Sequence, residues 1–168
     1  MEENYEIMNK GASALGAFHM TWSSFDHVLE IGIARLCNLD FEHANLLLHG
    51  ISFTRKISIA KSLLNSIDQK HEALPLLRDI SEVAKRNTLV HSYLTLKTGE
   101  AIKFNRRDSA DRFVHKVYEF TPNELYEHAR KVSKTCLKIQ KLLGIPDEDI
   151  KTYFDASRSM SSKSAKLP

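Results

Sequence analysis

The segment LGAFHMTWSSFDHVLEIGIARL, Leu15 to Leu36, gives the clearest indication of the fold. Its apolar residues recur at steps of three and four, a spacing that puts them on one face of an α-helix. They are Leu15, Phe18, Trp22, Phe25, Leu29, Ile33 and Leu36. The stripe predicts a long helix, from about Tyr5 to Cys37, with one buried face.

Three further helices are predicted from capping residues in the next part of the chain. Asp40 suits the N-cap of a short helix that ends before Gly50. Ser52 suits the N-cap of a third helix, and Pro75 fits the first turn of a fourth, from about Leu74 to Leu94. The residues predicted to share one face of the third helix are Phe53, Ile57, Ala60, Leu64 and Ile67.

The hydrophobic period then changes from that of a helix to that of a strand. SYLTLKTGEAIKF, residues 92–104, alternates apolar and polar residues around KTGE, which predicts a strand, a turn and a strand. FVHKVYEF, residues 113–120, is a candidate for another short strand. The intervening NRRDSAD, residues 105–111, is predicted to be a loop.

A last long helix follows the strands, and its start is clearly marked. Thr121 as N-cap, Pro122 at N1 and Glu124 at N3 form a helix-start signature. Gly144 and Pro146 are predicted to end this helix. Its apolar positions are Leu125, Ala129, Val132, Cys136, Ile139 and Leu143.

These segments predict a mainly all-α fold. We expect an up-and-down bundle of about four to five main helices, with a small β-hairpin inserted before the last long helix. A short final helix is predicted from Asp147 to Ala156. Residues 1–156 are predicted to form a single domain, and the Ser/Lys-rich residues 157–168 a disordered tail.

Composition and charge exclude several classes of protein. Of the 168 residues 42% are hydrophobic, which is enough for a core, and the formal net charge of +3 permits an acidic partner without requiring one. The two cysteines are far apart and predict neither a disulfide framework nor a zinc site. The acidic, polar start is unlike a signal peptide, and no apolar run approaches the length of a membrane span. We therefore expect a soluble, cytoplasmic protein without a membrane partner.

The strongest candidate for a functional motif is RNTLVHSY, Arg86 to Tyr93. Asn87 interrupts an apolar face of the predicted fourth helix, and a buried amide without partners costs about 1–3 kcal/mol. His91 lies four residues further on, about 40° around the helix axis, and is a natural neighbour. Arg86 lies about 140° from His91, so their side chains meet if the arginine wraps around the helix or if a second copy faces the first. The apolar face consists of Leu76, Ile80, Val83, Val90 and Leu94.

An arginine and a histidine in this pattern suit the cleavage of RNA. RNA carries its own nucleophile, the 2′-hydroxyl group, so a protein has to supply a base, an acid and stabilisation of the phosphate charge. Histidine, with an ordinary pKa of about 6.5, serves as base or acid near neutral pH. Arginine stays charged and binds phosphate oxygens through two parallel donors. This chemistry requires no metal or other cofactor, and a symmetric dimer supplies two histidines.

The sequence Arg86, Asn87, TLV, His91 resembles the motif of the HEPN superfamily, whose members are small α-helical bundles. Many of them are metal-independent endoribonucleases of toxin–antitoxin, phage-defence or RNA-processing systems, and act as dimers with the Arg and His of both protomers in one cleft. The resemblance implies that Arg86 and His91 are catalytic and that Asn87 supports them. It also implies single-stranded RNA as substrate, a homodimer, and a cognate antitoxin or regulatory protein as a further partner. It covers the helical order from Tyr5 to about Leu143, and only the six-residue motif is specific.

Two further features accompany the motif. In one toxin branch of the superfamily a tyrosine lies two positions after the histidine and is modified by a nucleotidyltransferase antitoxin. Tyr93 matches that tyrosine, although that branch does not continue into a hairpin. A basic cluster surrounds the predicted loop and suits an RNA backbone, with two aspartates diluting its charge. It consists of Lys103, Arg106, Arg107 and Arg112.

An alternative interpretation of the motif remains open. Other HEPN proteins keep the fold as a non-catalytic module that binds a protein, RNA or nucleotide, because a fold does not determine a function. Arg86, Asn87 and His91 would then form a structural network at a dimer interface. Solvent access distinguishes the catalytic interpretation from the structural one. A catalytic pair must line a cleft open to solvent, whereas a structural network can be sealed.

Overall fold

The structure is a computed structural model and describes residues 2–84, 89, 93–96, 101–108 and 114–164. Within these residues the fold is mainly helical, with a small antiparallel sheet before the long helix α5, and the predicted fold class is confirmed. The elements are α1 (Glu2–Leu36), α2 (Phe41–Leu48), α3 (Phe53–Ile67), α4 (Ala73–Ala84), β1 (Tyr93–Leu96), β2 (Ile102–Asp108), β3 (Val114–Phe120), α5 (Pro122–Leu142) and α6 (Asp147–Ser164).

The chain divides into two compact units. The sheet unit comprises Met1–Trp22 and Ser81–Ser133, and the helical unit comprises Ser23–Ile80 and Lys134–Pro168. Helices α1, α4 and α5 contribute residues to both units. With 35 residues, α1 rises about 52 Å, which is more than one small core can cover. The single domain over residues 1–156 stays a prediction.

The helical unit is built on the C-terminal part of the apolar stripe that the sequence predicts for α1. Phe25, Leu29 and Ile33 are buried there, together with residues of α2, α3, α4, α5 and α6. The ring of Phe25 packs edge-on against that of Phe53 on α3, with 5.4 Å between the ring centroids. Burying these large side chains is the main favourable contribution to the stability of the unit.

The sheet unit contains a three-stranded antiparallel sheet in the order β1-β2-β3. Ile102 on β2 pairs with Leu96 on β1 and with Phe120 on β3. Phe104 and Phe120 are buried and contact each other edge-on, with 5.6 Å between centroids. The predicted hairpin and the third strand at FVHKVYEF are both confirmed, and KTGE lies outside the described residues.

The predicted helix ends are confirmed by their hydrogen bonds. The side chains of Asp40 and Ser52 accept bonds from the backbone N–H of His43 and of Arg55, as N-caps do. Thr121 and Glu124 form a reciprocal capping box, in which Thr121 N donates to Glu124 Oε2 over 2.7 Å and Glu124 N to Thr121 Oγ1 over 3.2 Å. Gly144 follows α5 with a φ of 62°, a left-handed conformation that glycine adopts without strain.

The predicted fourth helix is wrong at its C-terminal end. Helix α4 comprises Ala73–Ala84, Leu89 is helical, and Tyr93 and Leu94 belong to β1 rather than to the apolar face of a helix. Their backbone pairs with β2, Tyr93 opposite Asn105 and Leu94 opposite Phe104. An aromatic residue next to a leucine suits a sheet as well as a helix, and strand pairing decides between them.

The last helix is longer than the sequence predicts. Helix α6 continues to Ser164, so residues 157–164 are helical where a disordered tail was expected after Ala156. No glycine or proline interrupts the chain between Pro146 and Pro168, so nothing stops the helix once it has started. Residues 165–168 lie outside the described part of the chain. Among the residues that the structure describes, no helix is long and apolar enough to cross a bilayer.

Candidate functional site

The central residues of the predicted motif are not among the described residues. Arg86, Asn87 and His91 all lie outside them, and so does Arg112 of the basic cluster. Leu89, between Asn87 and His91 in the sequence, is described: it is helical and its side chain is only 3% exposed. Leu89 is therefore the one residue between Asn87 and His91 whose burial the structure describes.

The remaining candidates for the site lie in the sheet, not at a helix end or in a loop. Tyr93 is the first residue of β1. Arg106 and Arg107 belong to β2, opposite Lys116 and His115 of β3, so residues 105–108 form a strand rather than the predicted loop. Strand β2 is extended because β3 pairs with it along its whole length, an interaction that the local sequence does not reveal.

Lys103 is the one member of the basic cluster whose side-chain partner is described. Its Nζ lies 3.4 Å from Glu119 Oε1 on the neighbouring strand, and the two residues are directly paired in the register of the sheet. A cross-strand ion pair of this kind contributes up to about 1 kcal/mol at a partly exposed site. Glu119 therefore offsets part of the positive charge that an RNA backbone would meet at Lys103.

The helical unit contains a buried ionic cluster that the sequence analysis missed. We call it the Glu30 cluster, and it consists of Asp26, His27, Glu30, Lys56 and Tyr153. Lys56 Nζ donates to Glu30 Oε1 over 2.5 Å and to Asp26 Oδ2 over 2.9 Å. Tyr153 Oη donates to Glu30 Oε2 over 2.8 Å, and His27 Nδ1 lies 3.1 Å from the same oxygen. The cluster thus connects α1, α3 and α6.

The electrostatics of the cluster follow from these contacts. Burial by itself would raise the pKa of Glu30, but hydrogen bonds from His27, Lys56 and Tyr153 outweigh burial and lower the pKa from 4.5 to about 2. Burial raises the pKa of Tyr153, and the negative charge of Glu30 raises it further. Glu30 is therefore ionised and Tyr153 protonated throughout the physiological pH range.

The centre of the Glu30 cluster is almost sealed from solvent, whereas the side chains of Asp26 and His27 at its edge are each 32% exposed. Lys56 is 2% exposed, Glu30 4% and Tyr153 1%, and the rings of His27 and Phe41 lie against Tyr153. A substrate has no route to Lys56, Glu30 and Tyr153, so this buried centre is a structural network. Its charges are expensive to bury, and the ion pairs and hydrogen bonds of Lys56 and Glu30 offset that cost, whereas Asp26 Oδ1 is buried without a hydrogen-bond partner among the described residues.

The sequence did contain a signal for this cluster. Asp26 and Glu30 are four residues apart next to the buried stripe of α1, and Lys56 shares a helical face with Phe53 and Ala60. A lysine within an apolar stripe requires a buried acidic partner. The partner, however, lies 26 residues away in the sequence and cannot be found from the pattern of one helix.

Two further tests of the site concern metals and known proteins. Within the described residues, no three His, Cys, Asp or Glu side chains are arranged to hold a metal ion. In the comparisons with known proteins, no family model, curated protein or solved structure matches this chain. Any statement about function therefore rests on the chain's own residues.

Proposed function

We propose that this protein is a metal-independent endoribonuclease of HEPN type, which cleaves single-stranded RNA with Arg86 and His91 from two copies of the chain. The observation that supports the proposal best is Leu89, which is helical and buried in the middle of the motif. A buried residue within the motif supports a catalytic role for the segment, because reacting groups have to be held in a fixed geometry. The mainly helical fold agrees with the proposal, and toxin–antitoxin or antiviral defence is the proposed context.

The proposed reaction uses the nucleophile of the RNA itself. His91 of one protomer removes the proton of the 2′-hydroxyl, whose oxygen attacks the neighbouring phosphorus. The bond from phosphorus to the 5′-oxygen breaks, and His91 of the other protomer protonates that oxygen. Arg86 binds the phosphate and stabilises the charge that develops in the transition state. The products are a 2′,3′-cyclic phosphate and a 5′-hydroxyl end.

Two other residues have supporting parts in the proposal. Asn87 orients His91 or Arg86 through its amide group, as a positioning residue. Tyr93, the first residue of β1, is the proposed site of modification by a nucleotidyltransferase antitoxin. Attaching a nucleotide two positions after His91 would add bulk and negative charge next to the catalytic histidine, which would hinder access of RNA.

Replacement of the catalytic residues tests this proposal. We expect His91→Ala and Arg86→Ala each to lower the cleavage rate at least about 100-fold, the usual contribution of an acid–base group or of a charge-stabilising donor. The assay follows a labelled single-stranded RNA in EDTA at several pH values and identifies the cyclic phosphate ends. His49→Ala is the matched control, since His49 is exposed at the end of α2.

The outcomes separate catalysis from structure. If a folded His91→Ala or Arg86→Ala variant still cleaves RNA like the wild type, this mechanism is wrong. The burial of Leu89 also favours a second function, a non-catalytic helical module that binds a protein, RNA or nucleotide. In that case neither wild type nor variants cleave RNA, and the two variants lose melting temperature or dimerisation instead.

A further inference from the structure

A cleft between α3 and α4 of the helical unit has a lining rich in positive charge. It encloses about 400 Å³, which is within the usual size range of small-molecule sites. Its basic residues are Lys61 on α3, Lys70 and His71 in the connection, and Arg78 on α4. No carboxylate is among the described residues that line it, and Arg78 is paired with Asp79 beside it.

The cations of this cleft are available to a ligand. Lys61 and Lys70 form no ion pair with any residue that the structure describes. Arg78 contacts Asp79 only through Nε, over 3.2 Å, and this exposed contact leaves the terminal amino groups of the guanidinium for a second acceptor. Two amino groups and a guanidinium that converge on one cleft are the donors that phosphate groups bind in proteins.

Hydrogen bonds within the connection hold the cleft in shape. Lys70 N donates to Asp68 Oδ1 over 2.9 Å, and His71 N donates to the Asp68 carbonyl over 3.1 Å. His71 Nδ1 accepts a bond from the backbone N–H of Ala73 over 3.1 Å, at the start of α4. With Nδ1 as acceptor, the proton of the neutral ring is on Nε2, which therefore donates. His71 thus adds its Nε2 donor to the three cations.

The rest of the lining suits the other parts of a nucleotide. Leu74 is half-buried and Pro75 lies beside it on the first turn of α4, which gives apolar surface for a base or a sugar. The amides of Asn65 and Gln69 supply both donors and acceptors. We infer that this cleft binds a nucleotide unit, either free or within an RNA strand, with its phosphate on Lys61, Lys70 and Arg78.

This inference is independent of the proposed ribonuclease activity, and its test is designed accordingly. The probes are adenosine 5′-monophosphate and a fluorescent single-stranded 2′-O-methyl oligoribonucleotide, which lacks the attacking hydroxyl and is not cleaved by the proposed mechanism. Binding of each probe to the wild-type full chain is measured at several salt concentrations. The test variant is Lys61→Glu with Lys70→Glu. The matched control is Lys138→Glu with Lys141→Glu, which makes the same charge change on the exposed face of α5.

We expect the cleft variant to bind at least about tenfold more weakly and the control variant to bind nearly as well as wild type. For the oligoribonucleotide, the salt dependence should also become less steep in the cleft variant, because fewer phosphate contacts remain. Binding of both probes identifies a site for free nucleotides, whereas binding of the oligoribonucleotide alone identifies a site for an RNA strand.

The inference is wrong if wild type binds neither probe, or if the cleft and control variants weaken binding equally. Equal weakening would show that binding depends on overall charge rather than on the cleft. Melting curves of both variants check folding, and the substituted side chains are exposed or half-buried at the surface. Neither outcome of this binding experiment contradicts the ribonuclease proposal, because that proposal depends on Arg86 and His91.

Discussion

At the scale of single residues, Glu30 is the best-defined group in the helical unit. Three donors from α1, α3 and α6 bind its carboxylate, and they lower its pKa from 4.5 to about 2. Since the pKa is lower in the folded chain than in the unfolded chain, ionised Glu30 stabilises the fold above about pH 4.5. That contribution, about 3 kcal/mol, is lost as the pH falls from 4.5 to 2.

Replacing Tyr153 by phenylalanine tests this account. The change removes one donor from Glu30 Oε2 and keeps the ring, so we expect the free energy of unfolding at pH 7 to fall by about 2 kcal/mol. The pKa of Glu30 moves closer to its ordinary value, so the variant loses less stability than wild type between pH 7 and pH 3. Urea unfolding at both pH values measures this, with Tyr126→Phe at an exposed tyrosine as control. If Tyr153→Phe lowered the free energy of unfolding by the same amount at pH 7 and at pH 3, this account of Glu30 would be wrong.

At the scale of elements, α1 contains two glycines whose surroundings differ. Gly11 and Gly16 are both helical, but only Gly11 is closely covered. A Cβ atom built at Gly11 would lie 2.0 Å from Ile102 Cδ1 on β2, whereas one at Gly16 would meet no described heavy atom within 4 Å beyond its chain neighbours and the backbone of its own helix. Gly11 is therefore required for close packing in the sheet unit, and Gly16 is not.

The two glycines give opposite predictions for substitution by alanine. Gly16→Ala should stabilise the protein by about 0.5–1 kcal/mol, because alanine loses less backbone entropy in a helix. Gly11→Ala should be less stable than Gly16→Ala by about 1–3 kcal/mol, since buried Ile102 has to move. Thermal and urea unfolding of the pair measure the difference. Equal stability of the two variants would show that Ile102 adjusts without cost.

At the scale of the whole molecule, the proposed active site needs two copies of the chain. A dimer should have about twice the mass of the 19.2 kDa chain, and light scattering with size exclusion measures this directly. Cleavage activity per chain should fall on dilution below the dissociation constant, because a monomer carries one motif. A monomer that cleaves RNA at the same rate per chain would contradict the two-copy site while leaving the catalytic residues in place.

The sequence by itself determined the features that depend on neighbours within a few positions. The N-caps at Asp40 and Ser52 and the capping box of Thr121 with Glu124 join groups three residues apart, and the left-handed Gly144 follows from the conformational freedom of glycine itself. The apolar stripe of α1 likewise follows from one helical period. Local hydrogen bonds and periodicity need no knowledge of the rest of the fold, and therefore these predictions are confirmed.

Only the tertiary structure decided the features that join distant parts of the chain. Tyr93 belongs to a strand because β2 pairs with it, and Lys56 is buried because Glu30 meets it from another helix. Tyr153 reaches Glu30 across 123 positions of sequence. Such pairs depend on how the helices and strands pack, and a stripe or a cap on one helix does not specify which element it will meet.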